Sequence, residues 1–261
     1  MACSNDRREG IVRLATTVGM ANVEDLATRF GVTASTIRRD LAVLHTQGKL
    51  SRTYGGAIGL VAHPEASLRQ RVADALSEKR AIGTWAAAQV QPGESLLLDG
   101  GSTVAAAARE VRFARDVRVA TVSMTVLAEL ADVKGIQVDC LGGRLRQISQ
   151  SFLGPLTEAA LDRMTFDRVF LGADSVTADK GICEADLEQT RLKELMARRA
   201  KEVYVLAHGA KLGKEPFHAW ARLPLPWTLV TDVSADSDEL GRFRAAGITV
   251  VVVDSEDQPP L

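Results

Sequence analysis

The chain has 261 residues, of which 46% are hydrophobic and 25% are charged, and its formal net charge is -1. This length allows one large or two unequal domains with a substantial core, and the balance excludes a strongly basic or strongly acidic protein. The charge is unevenly spread, because residues 1–60 hold eight Lys and Arg against five Asp and Glu, a net charge of +3. A mildly basic first part on a mildly acidic body is typical of a head that binds a polyanion.

The longest apolar runs, such as residues 248–253, are far shorter than the roughly 20 residues of a membrane-spanning helix. The N-terminus lacks the basic, apolar and small-residue order of a signal peptide, and the three cysteines form no CxxC pair, which favours reduced thiols. We therefore expect a cytoplasmic protein. The four histidines show neither HxH nor HExxH spacing, so neither a metal nor another cofactor is expected.

Residues 7–18 and 23–30 carry apolar side chains at helical spacing, which predicts two short amphipathic helices. Gly19 ends the first helix and Gly31 ends the second. The short connection over residues 30–33 then leads to a third helix. This is the arrangement of a helix-turn-helix, in which the third helix lies in the DNA major groove.

The third helix, predicted over residues 33–44, has two incompatible faces. One face is apolar and must be buried. The other carries hydroxyl and guanidinium groups, from Ser35, Thr36, Arg38 and Arg39. Arg reads guanine edges with two hydrogen bonds, and Ser and Thr take phosphate or base contacts, so these four residues are candidate DNA contacts. The alternative is an ordinary surface helix whose Arg pair is solvated.

Residues 49–54 predict a short strand that leads to Gly55 and Gly56. A basic hairpin beside the third helix would place Lys49 and Arg52 on DNA phosphates, although a plain turn is the alternative. We expect a winged helix-turn-helix domain over residues 1–57.

A linker and connecting helix are expected over residues 58–75, within a mostly helical stretch that runs from 65 to 90. A larger α/β domain is then expected over 76–261. In this domain, short apolar runs alternate with helical patterns, and the strand candidates are residues 95–98, 117–122, 136–141, 168–172, 203–207, 227–231 and 248–253. Such alternation predicts a mostly parallel, Rossmann-like sheet covered by helices on both faces.

Ligands bind such sheets at the carboxyl ends of the strands. The first strand is followed by the sequence Asp99, Gly100, Gly101, Ser102 and Thr103. The glycines allow close approach, the hydroxyls can donate, and the next helix begins with free N–H groups, so this turn suits a phosphate. The alternative is an ordinary strand-to-helix turn, because the sequence is neither a Walker loop nor a GxGxxG fingerprint.

Other predicted strand ends and helices add polar candidates, namely Ser123, Gly143, Asp174, Lys193 and Lys211. Lysine can neutralise a phosphate and carboxylates can accept sugar hydroxyls. Each residue taken alone is more typical of a structural or surface role.

The segment VTASTIRRDLAVLHTQGKLSRTYGGA resembles the DNA-binding signature of the DeoR family of bacterial transcriptional regulators. In that family TIRRDL lies on the recognition helix and a Gly-Gly wing follows. The resemblance implies that Ser35, Thr36, Arg38 and Arg39 contact DNA.

Further segments, SEKRAIGTWAA, LLLDGGST, LGGRLR, FLGADSVTADKGI and RLKELMARRAKEVYVLA, are similar in this order to the effector domain of DeoR-type regulators. That domain resembles ribose phosphate isomerase and binds phosphorylated sugars, which implies an effector pocket formed by residues 99–103 and the five polar candidates above. The sequence departs from the family pattern at Val122, Ser175 and His208-Gly209, which implies altered ligand contacts.

The leading hypothesis is a DNA-binding regulator of carbohydrate metabolism genes, acting as a repressor, controlled by a phosphorylated sugar and assembled as a homo-oligomer. Two alternatives remain. One is a sugar-phosphate isomerase or deaminase that uses the region of Asp99, Asp174 and Lys211 for acid and base chemistry. The other is a DNA-binding protein whose C-terminal domain only oligomerises.

Overall fold

A computed structural model describes residues 6–12, 21–46, 50–53, 56–59 and 65–254. The chain forms two compact units, which divide between Glu65 and Ala66. This division lies inside the stretch predicted as linker and connecting helix.

The described part of the N-terminal unit contains three helices and a small antiparallel sheet. Its elements are α1 (residues 6–12), β1 (Ala21–Asn22), α2 (Val23–Phe30), α3 (Ala34–Thr46), β2 (Leu50–Thr53) and β3 (Gly56–Gly59). Strand β3 pairs with both β1 and β2, so the predicted winged helix-turn-helix is confirmed. The rest of the predicted first helix, Lys49 and Tyr54 lie outside the described residues.

The C-terminal unit has helices α4 (Leu68–Ala73), α5 (Leu76–Ala88), α6 (Ser102–Val111), α7 (Met124–Leu130), α8 (Pro155–Leu161), α9 (Leu187–Arg198) and α10 (Ser237–Ala245). Its seven-stranded sheet contains β4 (Ser95–Leu98), β5 (Val117–Thr121), β6 (Ile136–Cys140), β9 (Phe166–Leu171), β12 (Ala200–Leu206), β14 (Thr228–Asp232) and β15 (Thr249–Val253). These seven strands are the predicted ones, with small shifts at their ends.

The strand order across this sheet is β15-β14-β12-β9-β4-β5-β6, and all neighbouring pairs are parallel. The chain winds outward in one direction from β4 and in the other direction from β9. A ligand crevice is expected where the strand order reverses, outside the carboxyl ends of these two strands. The mostly parallel sheet that the sequence predicted is therefore confirmed.

Both faces of the sheet are buried, as parallel sheets require. In β4, Leu97 packs into one apolar cluster, whereas Leu96 and Leu98 pack into the cluster on the opposite face. Val169 and Phe170 of β9 divide between the two clusters in the same way. The central strands are thus held firmly on both sides, and their carboxyl ends form a rigid platform for a site.

Three features were not predicted. Strands β7 (Arg144–Arg146) and β8 (Ser151–Leu153) form a hairpin, and β10 (Ser175–Thr177), β11 (Gly181–Glu184) and β13 (Ala219–Ala221) form a separate antiparallel sheet. The helical stretch predicted over residues 65–90 is divided into α4 and α5. It breaks at Ala75, whose φ of 49° is left-handed and incompatible with a continuous right-handed helix.

Candidate DNA-binding and effector sites

Helix α3 presents its polar side away from the small core of the N-terminal unit. Ile37 and Leu41 are at most 2% exposed, whereas Arg38 and Arg39 are exposed. The Thr33 hydroxyl accepts a hydrogen bond from the Thr36 N–H at 3.3 Å, which caps the start of the helix. The predicted DNA contacts therefore occupy one solvent-facing side of a well-capped helix.

The two remaining DNA-contact candidates were predicted on the wing. Arg52 is in β2, opposite Ala57 of β3, while Lys49 is outside the described residues. On α3, the Arg38 guanidinium lies 3.6 Å from the Glu24 carboxylate, and both side chains are largely exposed. Such a pair is weak, so it leaves Arg38 available to a nucleic acid.

Asp40, which the sequence reasoning did not select, is a buried anchor of α3. It is 2% exposed, and its two carboxylate oxygens accept from the Nε atoms of Arg7 and Arg8, each at 2.7 Å. The sequence contained a signal for the burial of Asp40, because this residue follows Ile37 by three positions and so shares its buried face. This ion-pair cluster joins α1 to α3.

A pocket lies at the reversal point of the large sheet. Asp99 follows β4, and Gly172 follows β9, where the Gly172 N–H donates to Asp99 Oδ2 at 3.0 Å. The two loops approach so closely that a Cβ on Gly172 would lie 2.7 Å from the Gly100 carbonyl oxygen. Of the predicted effector residues, those lining the pocket are Gly100, Gly101, Ser102, Thr103, Asp174, Lys193 and Lys211.

The base of this pocket is an ion-paired network. The Lys193 ammonium donates to Asp99 Oδ2, to the Gly172 carbonyl at 2.9 Å and lies 3.2 Å from Glu184. Burial raises the pKa of Glu184 to about 8, although Lys193 opposes this shift. Burial alone would lower the pKa of Lys193, but Asp99 and Glu184 outweigh it and raise this pKa. Lys193 therefore stays charged and is neutralised mainly by Asp99.

The side of the pocket formed by α6 suits an anion. Gly101 precedes the helix with a φ of 123° and supplies no side-chain cap, so the first N–H groups of α6 lack a capping side chain. The Lys211 ammonium donates to the Ala173 carbonyl, and burial lowers its pKa to about 8. Asp174 Oδ2 is buried and has no hydrogen-bond partner among the described residues. The pocket thus offers free donors, a cation and a free acceptor.

Arg71 and Glu184 line the pocket but were missed by the sequence reasoning. Arg71 comes from α4, and its Nη1 donates to Asp174 Oδ1. Glu184 ends β11, a strand in which every residue is buried. Neither shows a local motif, because each reaches the pocket only through the tertiary fold.

Three predicted effector residues are not among those that line this pocket: Asp99, which pairs with Lys193 at its base, and Ser123 and Gly143. The Ser123 hydroxyl accepts from the Val126 N–H at 3.3 Å and caps α7. Gly143 lies in the turn before β7, where a Cβ would clash with Thr157. The structure therefore places Ser123 and Gly143 in local structural roles beside the hairpin of β7 and β8.

The positions that depart from the family pattern have identifiable environments. Val122 is fully buried. The Ser175 hydroxyl donates to the Lys211 carbonyl at 2.8 Å and so supports the loop that carries Lys211. His208 is buried, which lowers its pKa to about 4, and the Gly209 N–H donates to Asp232 at 2.8 Å. Ser175, at the start of β10, and His208-Gly209 thus lie close in the chain to Asp174 and Lys211, which line the pocket.

Comparisons with known proteins identify the family of both units. The family model described as the DeoR C terminal sensor domain matches residues 74–233, and the DeoR-like helix-turn-helix domain matches residues 7–60. The fold defines a helix-turn-helix transcriptional regulator with a sensor domain. The chain belongs to the DeoR family.

Its relatives include the putative aga operon transcriptional repressor of Escherichia coli O157:H7, which is 32% identical over 96% of this chain and 94% of the relative. The regulator GlpR of Haloferax volcanii is 31% identical over 94% of this chain and 96% of the relative. The lactose phosphotransferase system repressor of Streptococcus mutans is 30% identical over 91% of this chain and 95% of the relative. Each of these relatives matches this chain over nearly the whole length of both proteins.

Among solved structures, ribose 5-phosphate isomerase A from Methanocaldococcus jannaschii covers 51% of this chain and 52% of that chain, with 19% identity and a TM-score of 0.38. A likeness of this extent carries no argument about activity. None of the described helices has the length and apolar character needed to cross a membrane. The described residues also contain no group of three or more His, Cys, Asp or Glu side chains placed to hold a metal ion.

Proposed function

We propose that the protein represses genes of carbohydrate metabolism and that a phosphorylated sugar, bound at the reversal point of the sheet, controls it. The observation that supports the effector is the pocket itself, where the uncapped start of α6 faces the unpartnered Asp174 Oδ2. A phosphate suits the helix N-terminus, and a sugar hydroxyl suits the carboxylate. The names of the relatives point to the same class of genes.

The effector proposal is tested by thermal shift with ribose 5-phosphate, fructose 6-phosphate and glucose 6-phosphate, each beside its unphosphorylated sugar and inorganic phosphate. A phosphorylated sugar that raises the melting temperature more than both of its parts supports the site. If no sugar phosphate does so, the proposed effector class is wrong.

The protonation of Lys211 provides a sharper prediction, namely that ligand binding takes up protons. Because burial holds its pKa near 8, the ligand-free amine is about half charged at pH 8, and a bound phosphate dianion raises that pKa. Binding at pH 8 should therefore take up protons, and affinity should fall as pH rises through 8. Calorimetry in HEPES and in Tris, whose ionisation heats differ, measures this uptake.

Lys211→Met should abolish the proton uptake and weaken binding. The control is Lys214→Met, which removes a nearby exposed lysine. Equal apparent enthalpies in the two buffers at pH 8 for the wild type would contradict the assignment of Lys211 to the phosphate.

We further propose that Ser35, Thr36, Arg38, Arg39, Lys49 and Arg52 contact DNA. Arg38→Ala and Arg39→Ala should each weaken operator binding by about 1–3 kcal/mol if the residue reads a base. Arg29→Ala, which removes an exposed Arg at the end of α2, is the control. Fluorescence anisotropy on a duplex selected from a random library measures the effect, and unchanged binding in the double variant Arg38→Ala/Arg39→Ala would refute the assignment.

The proposal includes at least a dimer, because one short recognition helix buries little surface and paired half-sites are the usual remedy. Light scattering at micromolar concentration, with and without DNA, measures this directly. A monomer under both conditions would contradict it. As a DNA-binding regulator, the protein is proposed to act in the cytoplasm.

We propose that the pocket binds its ligand without transforming it. Asp99, Glu184 and Lys193 satisfy one another, so the charged groups at its base are committed to holding the loops together. An assay for isomerisation or deamination of the three sugar phosphates tests this statement, and turnover would overturn it.

A further inference from the structure

Arg71 links the effector pocket to the helix that begins the C-terminal unit. It lies on α4, the first helix after the division at Glu65. Its guanidinium pairs with Asp174, which lies 103 positions further along the chain, and the two side chains are 17% and 7% exposed. A single side chain of α4 therefore reaches the carboxyl edge of the sheet.

With Arg71 in this position the pocket is nearly filled. The cavity volume is about 20 Å³, which is about enough for one water molecule. A sugar phosphate needs far more room. A bound effector therefore requires a lining group to move, and Arg71 is the lining side chain that comes from α4, the first helix of the C-terminal unit.

The charges favour a movement in which Arg71 stays with the ligand. Lys193 is committed to Asp99 and Glu184, and the other cations that line the pocket are Lys211 and Arg71. A guanidinium binds phosphate with two parallel hydrogen bonds. Once Arg71 turns to the phosphate, both oxygens of Asp174 are free to accept sugar hydroxyls.

The end of α4 connects Arg71 to α5. The Lys79 ammonium donates to the carbonyls of Arg71 and Asp74 and so holds the end of α4 against α5. Ala75, between the two helices, has the left-handed φ of 49°, a strained conformation for a residue other than glycine that breaks the helix. Helix α4 thus connects the Arg71–Asp174 pair to the break at Ala75, and its start is held by the Leu68 N–H, which donates to the Ile148 carbonyl at 3.0 Å.

We propose that the Arg71–Asp174 pair is a latch: the effector's phosphate takes Arg71 from Asp174, and the release of α4 changes the affinity for DNA. This inference rests on the proposed function, because it names the residue that passes effector binding from the pocket towards the N-terminal unit.

The test uses the full chain and needs no ligand for its first arm. Asp174→Asn removes the charge that holds Arg71, so the ligand-free variant should already show the DNA affinity of the effector-bound wild type. Coupling of this kind changes affinity roughly 5- to 150-fold. Amide hydrogen exchange over residues 66–75 should also become faster in Asp174→Asn. Arg80→Met, at an exposed arginine of α5, is the control and should change neither quantity.

The second arm uses Arg71→Met with the same three sugar phosphates. It should weaken their binding and remove their effect on DNA affinity even at saturation. The double variant Arg71→Met/Asp174→Asn should shift ligand-free DNA affinity no further than either single variant, because each opens the same latch.

Separate results overturn the two proposals. If ligand-free Asp174→Asn binds DNA as the wild type does, with unchanged exchange over residues 66–75, the latch is wrong whichever ligand binds. If no sugar phosphate binds the wild type while Asp174→Asn still shifts DNA affinity, the latch stands and the proposed ligand class is wrong. A wild-type response to sugar phosphate that persists in Arg71→Met also overturns the latch.

Discussion

Asp40→Asn is expected to destabilise the N-terminal unit by about 3 kcal/mol, since removal of one partner leaves the remaining buried charges uncompensated. Asp40 is the shared partner of Arg7 and Arg8, whose side chains are only 14% and 27% exposed. A unit of this size has little stability to spare. Its unfolding would remove the recognition helix, so DNA binding should be lost as well.

Amide hydrogen exchange of α3 measures this effect, and its protection should fall about 100-fold, which is the equivalent of about 3 kcal/mol. The three tryptophans all lie in the C-terminal unit, at Trp85, Trp220 and Trp227. Their fluorescence during unfolding should therefore be unchanged and shows that the effect is local. Asp25→Asn, at an exposed site of α2, is the control. Equal protection of α3 in the two variants would show that the buried cluster does not hold the helix.

The sequence predicted the sheet well because its strands are marked by local patterns. Runs such as residues 95–98 and 249–253 are apolar throughout, as buried parallel strands must be. The antiparallel strands β10, β11 and β13 were missed because each is only three or four residues long. Strands β10 and β11 are neighbours in the chain, but β11 also pairs with β13, which lies more than 30 residues further along, and a local pattern cannot show this pairing.

The pocket residues also divide into those that a local sequence pattern could predict and those that it could not. The turn from Asp99 to Thr103 was visible, because a strand, two glycines and a helix start are neighbours in the sequence. Ser123 had an equally suitable local pattern, but a serine at a strand end also suits a helix cap, which is its place in the structure. Arg71 has no local signal, since its role depends on Asp174, 103 positions away.

Lys193 connects segments of the pocket that are distant in the chain, through its contacts with Asp99, Gly172 and Glu184. We expect its replacement to have the second large effect on stability. Lys193→Met leaves Asp99 buried without its cation, which should cost about 3 kcal/mol of C-terminal-unit stability. Glu184 contributes less to this cost, because burial raises its pKa to about 8 and keeps it largely neutral at pH 7.

Urea unfolding followed by tryptophan fluorescence measures the loss in Lys193→Met, because the fluorescence reports the C-terminal unit alone. The matched control is Lys201→Met, since Lys201 also pairs with an aspartate, Asp167 at 2.7 Å, but its side chain is 79% exposed. An exposed pair contributes little, so the control should unfold close to the wild type. Adding Asp99→Asn to Lys193→Met should recover part of the stability, because both charges are then removed together. If Lys193→Met unfolds at the same urea concentration as Lys201→Met, the network at the base of the pocket does not hold the ends of β4 and β9 together.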